Sequence, residues 1–379
     1  MERLAIVTFL KGGNEHDMTG VVTAPLYMAR MFRKYIPTVD VISVRDHDMP
    51  QPRFWDANNV LSGDTDLLNT YDHVIFVTAG EYYTIKQYER DISRGEKGRM
   101  YARSKYPTVL NGLSVPFTLM TADEQDYAIY VYIDDFLSHP YCKGVMFMGE
   151  VMRDRSELLV GRDHLKSFIL PPMVSLNPRK EIIDKAADKP DSKSIISLSR
   201  WIPCKRIREY LSLVKEGEFS KYDIRAEIAS SAVSTYYNYT DLQPSGLTDK
   251  SGNILPEVGV ISHGLYDPTD LPDMLRDITF TWDFLFYKKS GKMTMTPRLQ
   301  QTSIEALNEG CLPVVCSQYT PDWLGYDGII RLDKNDVHLI PSILGKMGRI
   351  ERVARIDNYY QTLDSHMKKY YEDYLSEIS

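Results

Sequence analysis

Cysteine is scarce in this 379-residue chain: Cys142, Cys204, Cys311 and Cys316 offer no Cys-x-x-Cys pair. That argues against a disulfide framework or a thiolate zinc site and suits a reducing compartment. Long apolar runs are missing too, none approaching the roughly 18 residues that a membrane helix needs. Met1-Glu2-Arg3 leads straight into a strand-like Leu4–Phe9 with no signal peptide. A cytoplasmic protein with no membrane contact is the expectation. Positive charge is not in excess, since 45 Lys and Arg stand against 52 Asp and Glu for a net charge of −7. Overall basicity therefore cannot drive nucleic-acid binding, which leaves only a local basic face for that purpose. Low-complexity segments and clear internal repeats are absent. So is Gly-x-Gly-x-x-Gly, which disfavours a dinucleotide oxidoreductase.

What is present is alternation. The apolar runs Leu4–Phe9, Val39–Val44, Val74–Val77, Phe117–Met120 and Gly144–Met148 read as buried parallel strands. Val22, Leu26, Ala29, Phe32 and Ile36 share one helix face between the first two. The pattern breaks over residues 173–193, where Pro178, Pro190 and a charged run suggest a linker. It resumes with strands at Ser194–Leu198, Asp223–Ile228, Val258–Ile261, Leu312–Cys316 and Gly328–Leu332, and helices at Ile207–Val214 and Gln301–Asn308. Apolar residues from Ile340 to Tyr374 keep 3–4 spacing, predicting one long, kinked C-terminal helix. The reading is α/β: two doubly wound domains, 1–172 and 194–349, with residues 350–379 crossing back to the first.

Three segments carry chemistry. Arg200 and Lys205 follow the strand Ser194–Leu198 at the mouth of a helix, where open α/β sheets bind ligands. A fork, a point charge and a helix N-terminus suit a diphosphate; surface cations on a loop are the other reading. Glu305 sits in a short helix stopped by Gly310 and followed by an apolar strand, placing a carboxylate near the same crevice for ribose hydroxyls. The Lys11–Gly20 loop has glycines that let backbone N–H groups approach an anion, with Thr19 and Gly20 as contacts, or it is a plain turn.

Arg-x4-Lys, followed about a hundred residues later by Glu-Ala-x-x-x-Gly-x-x-Pro-Val-Val, resembles the donor site of retaining GT-B glycosyltransferases. Pro171-Pro172-Met173, the linker, Arg200-Trp201-Ile202, the Asp327–Asp336 segment and the N-terminal loop look more narrowly like bacteriophage DNA α-glucosyltransferases. The resemblance implies a GT-B fold with a cleft between two Rossmann-like domains. It also implies transfer of glucose or a pentose such as arabinose from a UDP-sugar to 5-hydroxymethylcytosine in duplex DNA, with retention. Arg200 and Lys205 would hold the diphosphate and Glu305 the ribose. His263 would lie in the nucleotide-side loop, and Asp123, after the strand Phe117–Met120, would contact the acceptor hydroxyl. Asp123 as a helix N-cap is the alternative. No metal and no cofactor beyond the donor is expected, in a monomer, in the host cytoplasm if the chain is phage-encoded. One departure stands out: position 297, where such enzymes often carry a sugar-contacting Glu, is proline.

Between Lys86 and Lys105 seven cations face three acids, interleaved with Tyr88 and Tyr101. Lys86, Arg99, Arg103 and Lys105 are the expected phosphate-backbone contacts; a solvated helix face would look the same. Two other classes compete: a glycosyltransferase acting on a polysaccharide or small molecule, and a nucleotide-sugar-binding protein without activity.

Overall fold

The computed structural model describes residues 1–8, 25, 28–43, 60–62, 65–77, 109–121, 133–155, 159–170, 177–199, 205–230, 244–266, 270–284, 301–317 and 327–378. It divides into two units, one built on Met1–Val174 and His366–Ser379, the other on Ser175–Met293 and Pro297–Ser365.

In the first unit, β1 (Arg3–Thr8), β2 (Thr38–Ser43), β3 (Val60–Ser62), β4 (His73–Val77), β5 (Phe117–Thr121), β6 (Cys142–Phe147) and β7 (Lys166–Ile169) form one sheet. Its order is β3-β2-β1-β4-β5-β6-β7, and every neighbouring pair is parallel. The central strands β4 and β5 are buried at every position, so their runs are apolar without alternation. Both strands that sequence periodicity missed, β3 and β7, are short edges of the sheet, and β7 has only Phe168 buried. Residues 28–32 are helical, with Ala29 and Phe32 buried as the spacing predicted and Met28 buried beside them.

The second unit repeats the plan. β8 (Lys193–Ser197), β9 (Ile224–Ser230), β10 (Ile261–Leu265), β11 (Phe280–Asp283), β12 (Leu312–Cys316) and β13 (Ile330–Leu332) run in the order β10-β9-β8-β11-β12-β13, all parallel. Strand order reverses between β8 and β11, the position where such sheets open a crevice at their carboxyl ends.

Three expectations need correction. The charged run Arg179–Asp188, read as linker, is a helix with Ile182 and Ala186 buried. Pro178 caps its start and Pro190 lies just past its end, so the prolines punctuate a helix instead of breaking one. Val258 closes a 3₁₀ turn, Pro256–Val258, and Gly259 (φ +75°) swings the chain into β10 three residues later than expected. β10 is an edge strand whose Ser262 and His263 are exposed, so it carries no apolar run. The C-terminal helix is two helices, Ile340–Lys346 and Arg349–Ile378, separated where Met347 turns extended (ψ 121°).

The Arg349–Ile378 helix is divided at Ser365, its first part counting with the second unit and the remainder with the first. Ile356, Tyr359, Tyr360, Leu363, Met367, Tyr371 and Tyr374 form its buried stripe. Near its end Tyr374 donates to Thr118 Oγ1 (3.1 Å) and stands 3.2 Å from His73 Nε2, which is itself 2.9 Å from Thr118 Oγ1. Burial, with some help from the Lys143 charge, pulls the His73 pKa down to about 3. That cluster sits at the amino ends of β4 and β5.

Candidate functional site

The carboxyl ends of β8 and β11 are where the second unit places its ionisable groups. After β8 the chain passes Leu198 and Ser199 and reaches Lys205, whose backbone oxygen accepts from Trp282 Nε1 at 3.3 Å. Arg206 follows in the left-handed region (φ 55°), uncommon for a residue with a side chain, and turns the chain into the Ile207–Lys215 helix. Its Nη1 pairs with Glu209 at 3.0 Å.

β11 ends on Asp283, 4% exposed. Its Oδ2 accepts from the Ser303 hydroxyl, and its Oδ1 is buried with no hydrogen-bond partner among the described residues. Burial pushes the Asp283 pKa up; the Lys205 charge and the Ser303 bond pull it back. Ser303 belongs to the Gln301–Asn308 helix, whose Ile304, Ala306 and Leu307 pack inward while Glu305 is half-buried. One turn on, Glu309 is occupied by Lys185 (3.1 Å). Gly310 closes the helix at φ +73°, and a Cβ there would come within 2.6 Å of the Ala186 backbone nitrogen. The glycine therefore serves both the turn and the close packing of the Arg179–Asp188 helix.

Lys205 and Glu305, which the sequence reading put at one crevice, thus lie in segments that bond to the last two residues of β11, Trp282 and Asp283. His263 is elsewhere. It lies within β10, two strands from β8 or about 10 Å at ordinary strand spacing, with Nε2 2.6 Å from Glu227 Oε2. Glu227 is 6% exposed at its side chain and also takes Arg225 Nε at 2.5 Å. Arg200, Thr19, Gly20, Asp123, Lys86, Arg99, Arg103 and Lys105 lie outside the described residues. Sequence reasoning missed Asp283. Its signal was a carboxylate closing the run Phe280-Thr281-Trp282, a segment too polar to stand out as a buried strand.

Among the described residues no group of three or more His, Cys, Asp or Glu is arranged to hold a metal ion, and no helix is long and apolar enough to cross a membrane.

No family model and no curated protein matches this sequence. Solved structures do. An alpha-glucosyltransferase in complex with UDP and a 13-mer DNA containing an HMU base matches at TM-score 0.65 and 11% identity, with 99% of each chain covered. An alpha-glucosyltransferase with UDP and a 13-mer DNA containing an A:G mismatch matches at 0.63 and 13%, over 95% of this chain and 94% of that one. A trehalose-6-phosphate structure from E. coli with bound UDP-2-fluoro glucose matches at 0.55 and 13%, over 100% and 99%. At such identities the likeness speaks to architecture, and the architecture is clear: this chain has the GT-B fold, two Rossmann-like domains each built on a parallel, doubly wound sheet.

Proposed function

We propose that this protein is a glycosyltransferase that moves a sugar from a UDP-sugar to a hydroxyl group, the acceptor being a hydroxylated base such as 5-hydroxymethylcytosine in duplex DNA. The observation that supports the donor half is that the segments bearing Lys205 and Glu305 both bond to the end of β11, at the switch point of the second sheet. In this reading the bond from the sugar's anomeric carbon to the diphosphate breaks, and the acceptor oxygen takes its place on the same face. The acceptor proton leaves, and UDP departs with the electron pair. Arg200 and Lys205 stabilise the charge that develops on the diphosphate, which is where fixed cations act most strongly. Glu305 accepts from the ribose hydroxyls, Thr19 and Gly20 close on the donor from the N-terminal loop, and Asp123 contacts the acceptor hydroxyl.

The DNA acceptor is supported by the full-length likeness to an alpha-glucosyltransferase bound to UDP and DNA. The Lys86–Lys105 stretch offers seven cations for the phosphate backbone in an otherwise acidic protein. A base presented to the enzyme must leave the stack, at a cost of a few kcal/mol.

The test is incubation with UDP-glucose and UDP-arabinose plus hydroxymethylated duplex, unmodified duplex, RNA, or glycan acceptors, read by mass. Sugar on the hydroxymethylated duplex alone is the expected result. Transfer only to glycans would overturn the DNA acceptor, and UDP binding without transfer to anything would overturn the enzyme. DNA affinity should also fall with salt at about 0.9 log units per log salt for each phosphate contact. Replacing Arg99, Arg103 and Lys105 by alanine should flatten that slope by up to about 3 units, leaving UDP affinity alone.

A further inference from the structure

The last two residues of β11 point to opposite faces of the sheet, as successive strand residues must. Each holds a different segment. Trp282 donates its indole N–H to the backbone oxygen of Lys205. Asp283 accepts from Ser303, two residues before Glu305 on the same helix. We infer that Asp283 is a positioning residue for the donor site, fixing the Glu305 helix through Ser303 and setting a buried carboxylate within reach of the Lys205 charge.

Three observations carry this. Asp283 closes a central strand at the switch point, paired with Val315 of β12, while the pairing of β11 with β8 stops at Thr281. Its carboxylate is buried and has one partner too few among the described residues: Ser303 occupies one oxygen and the other has none. An uncompensated buried carboxylate is costly, and a nearby cation is the usual remedy. Of the two influences that favour its ionised form, the Lys205 charge is the larger, ahead of the Ser303 bond. A purely structural role would be filled more cheaply by an apolar residue at this buried position, as Leu198 and Ile196 fill the neighbouring strand.

The inference rests on the donor reading above and predicts something narrower. Asp283→Asn keeps the side-chain shape and an acceptor for Ser303, yet removes the negative charge that acts on Lys205 through space. The dissociation constant for UDP should rise about tenfold, the size of one lost charge-assisted contact, while that for uridine stays within twofold. Ser303→Ala frees the helix without touching the carboxylate, and should raise the UDP constant about threefold. It serves as the second variant should Asp283→Asn fail to fold. Calorimetry with UDP and uridine on the full chain reads both. An unchanged ratio of UDP to uridine affinity in Asp283→Asn, or an unchanged UDP affinity in Ser303→Ala, would overturn the role. So would tighter UDP binding in Asp283→Asn, which would make Asp283 a competitor of the diphosphate. A wild-type protein that binds no UDP would instead overturn the donor reading itself.

Discussion

Each unit buries a polar cluster between a helix and its sheet, and these two clusters sit at opposite ends of their strands. In the first, His73, Thr118 and Tyr374 meet at the amino ends of β4 and β5 and fasten the C-terminal helix. In the second, Asp283 and Ser303 meet at the carboxyl end of β11 and fasten the helix that carries Glu305. The first cluster pairs neutral groups, with no charge to aim at anything. The second holds a buried carboxylate that feels the Lys205 charge. Amino ends of parallel sheets are free to be optimised for stability, because ligands enter from the carboxyl ends. The same device, a hydrogen bond from helix to strand, therefore serves cohesion in one place and site geometry in the other.

Substitutions should separate the two. The largest effect is expected at the carboxyl end: Lys205→Ala or Arg200→Ala should lower the transfer rate at least about 100-fold, since each removes a cation aimed at developing charge. Urea denaturation should be nearly unchanged in both. The mirror image is Tyr374→Ala, which should cost about 3–5 kcal/mol of stability, as removal of a buried aromatic does, with the rate per folded molecule within a few-fold of wild type. A Tyr374→Ala protein that is stable yet slow would erase the contrast.

Next in size is Glu305→Gln, expected to weaken UDP binding by about 1.5–3 kcal/mol through loss of a charge-assisted hydrogen bond to the ribose. The wild type should already discriminate against 2′-deoxy UDP by calorimetry. Equal affinities for the two nucleotides would move the ribose elsewhere.

Acid should find the first cluster. The His73 pKa is held down to about 3 by burial first and by Lys143 second, against about 6.5 in the unfolded chain. A depressed folded pKa means stability that is whole above about pH 6.5 and is lost as pH falls toward 3. Urea midpoints measured from pH 7 to 4 should fall more steeply for wild type than for His73→Gln. Parallel slopes would show that the imidazole does not titrate on unfolding. Smallest of all, Tyr374→Phe should cost about 1 kcal/mol, the worth of one hydroxyl's hydrogen bonds.

Most of both sheets could be read from the sequence because buried parallel strands are apolar on both faces, and the stretches around Ile6, Ile75, Leu119, Ile195 and Val314 announce themselves. The strands that stayed hidden are those where burial and composition part company. β7 and β10 are edges with exposed polar positions, and β11 is central but carries Thr281 and Asp283 inside. The linker reading failed at Arg179–Asp188 because charges on a helix's outer face look the same, in sequence, as charges on a tether. At the site, Lys205 and Glu305 were visible through spacing to strands that were themselves visible. Asp283 was not, since its meaning depends on a hydroxyl twenty residues away.

The divided C-terminal helix has a consequence for how the chain is made. Tyr374 and His73 are 301 positions apart, yet they meet inside the first unit. The first unit is thus missing a piece of its own interior until the whole of the second unit has been made. The usual order, N-terminal domain first, is closed to it. Until residues 366–379 emerge, Phe32, Phe168 and His73, which they cover, must wait on other company. A nascent chain stalled short of its last helical turns should therefore be the species most dependent on chaperones, even though the second unit's sheet is already complete.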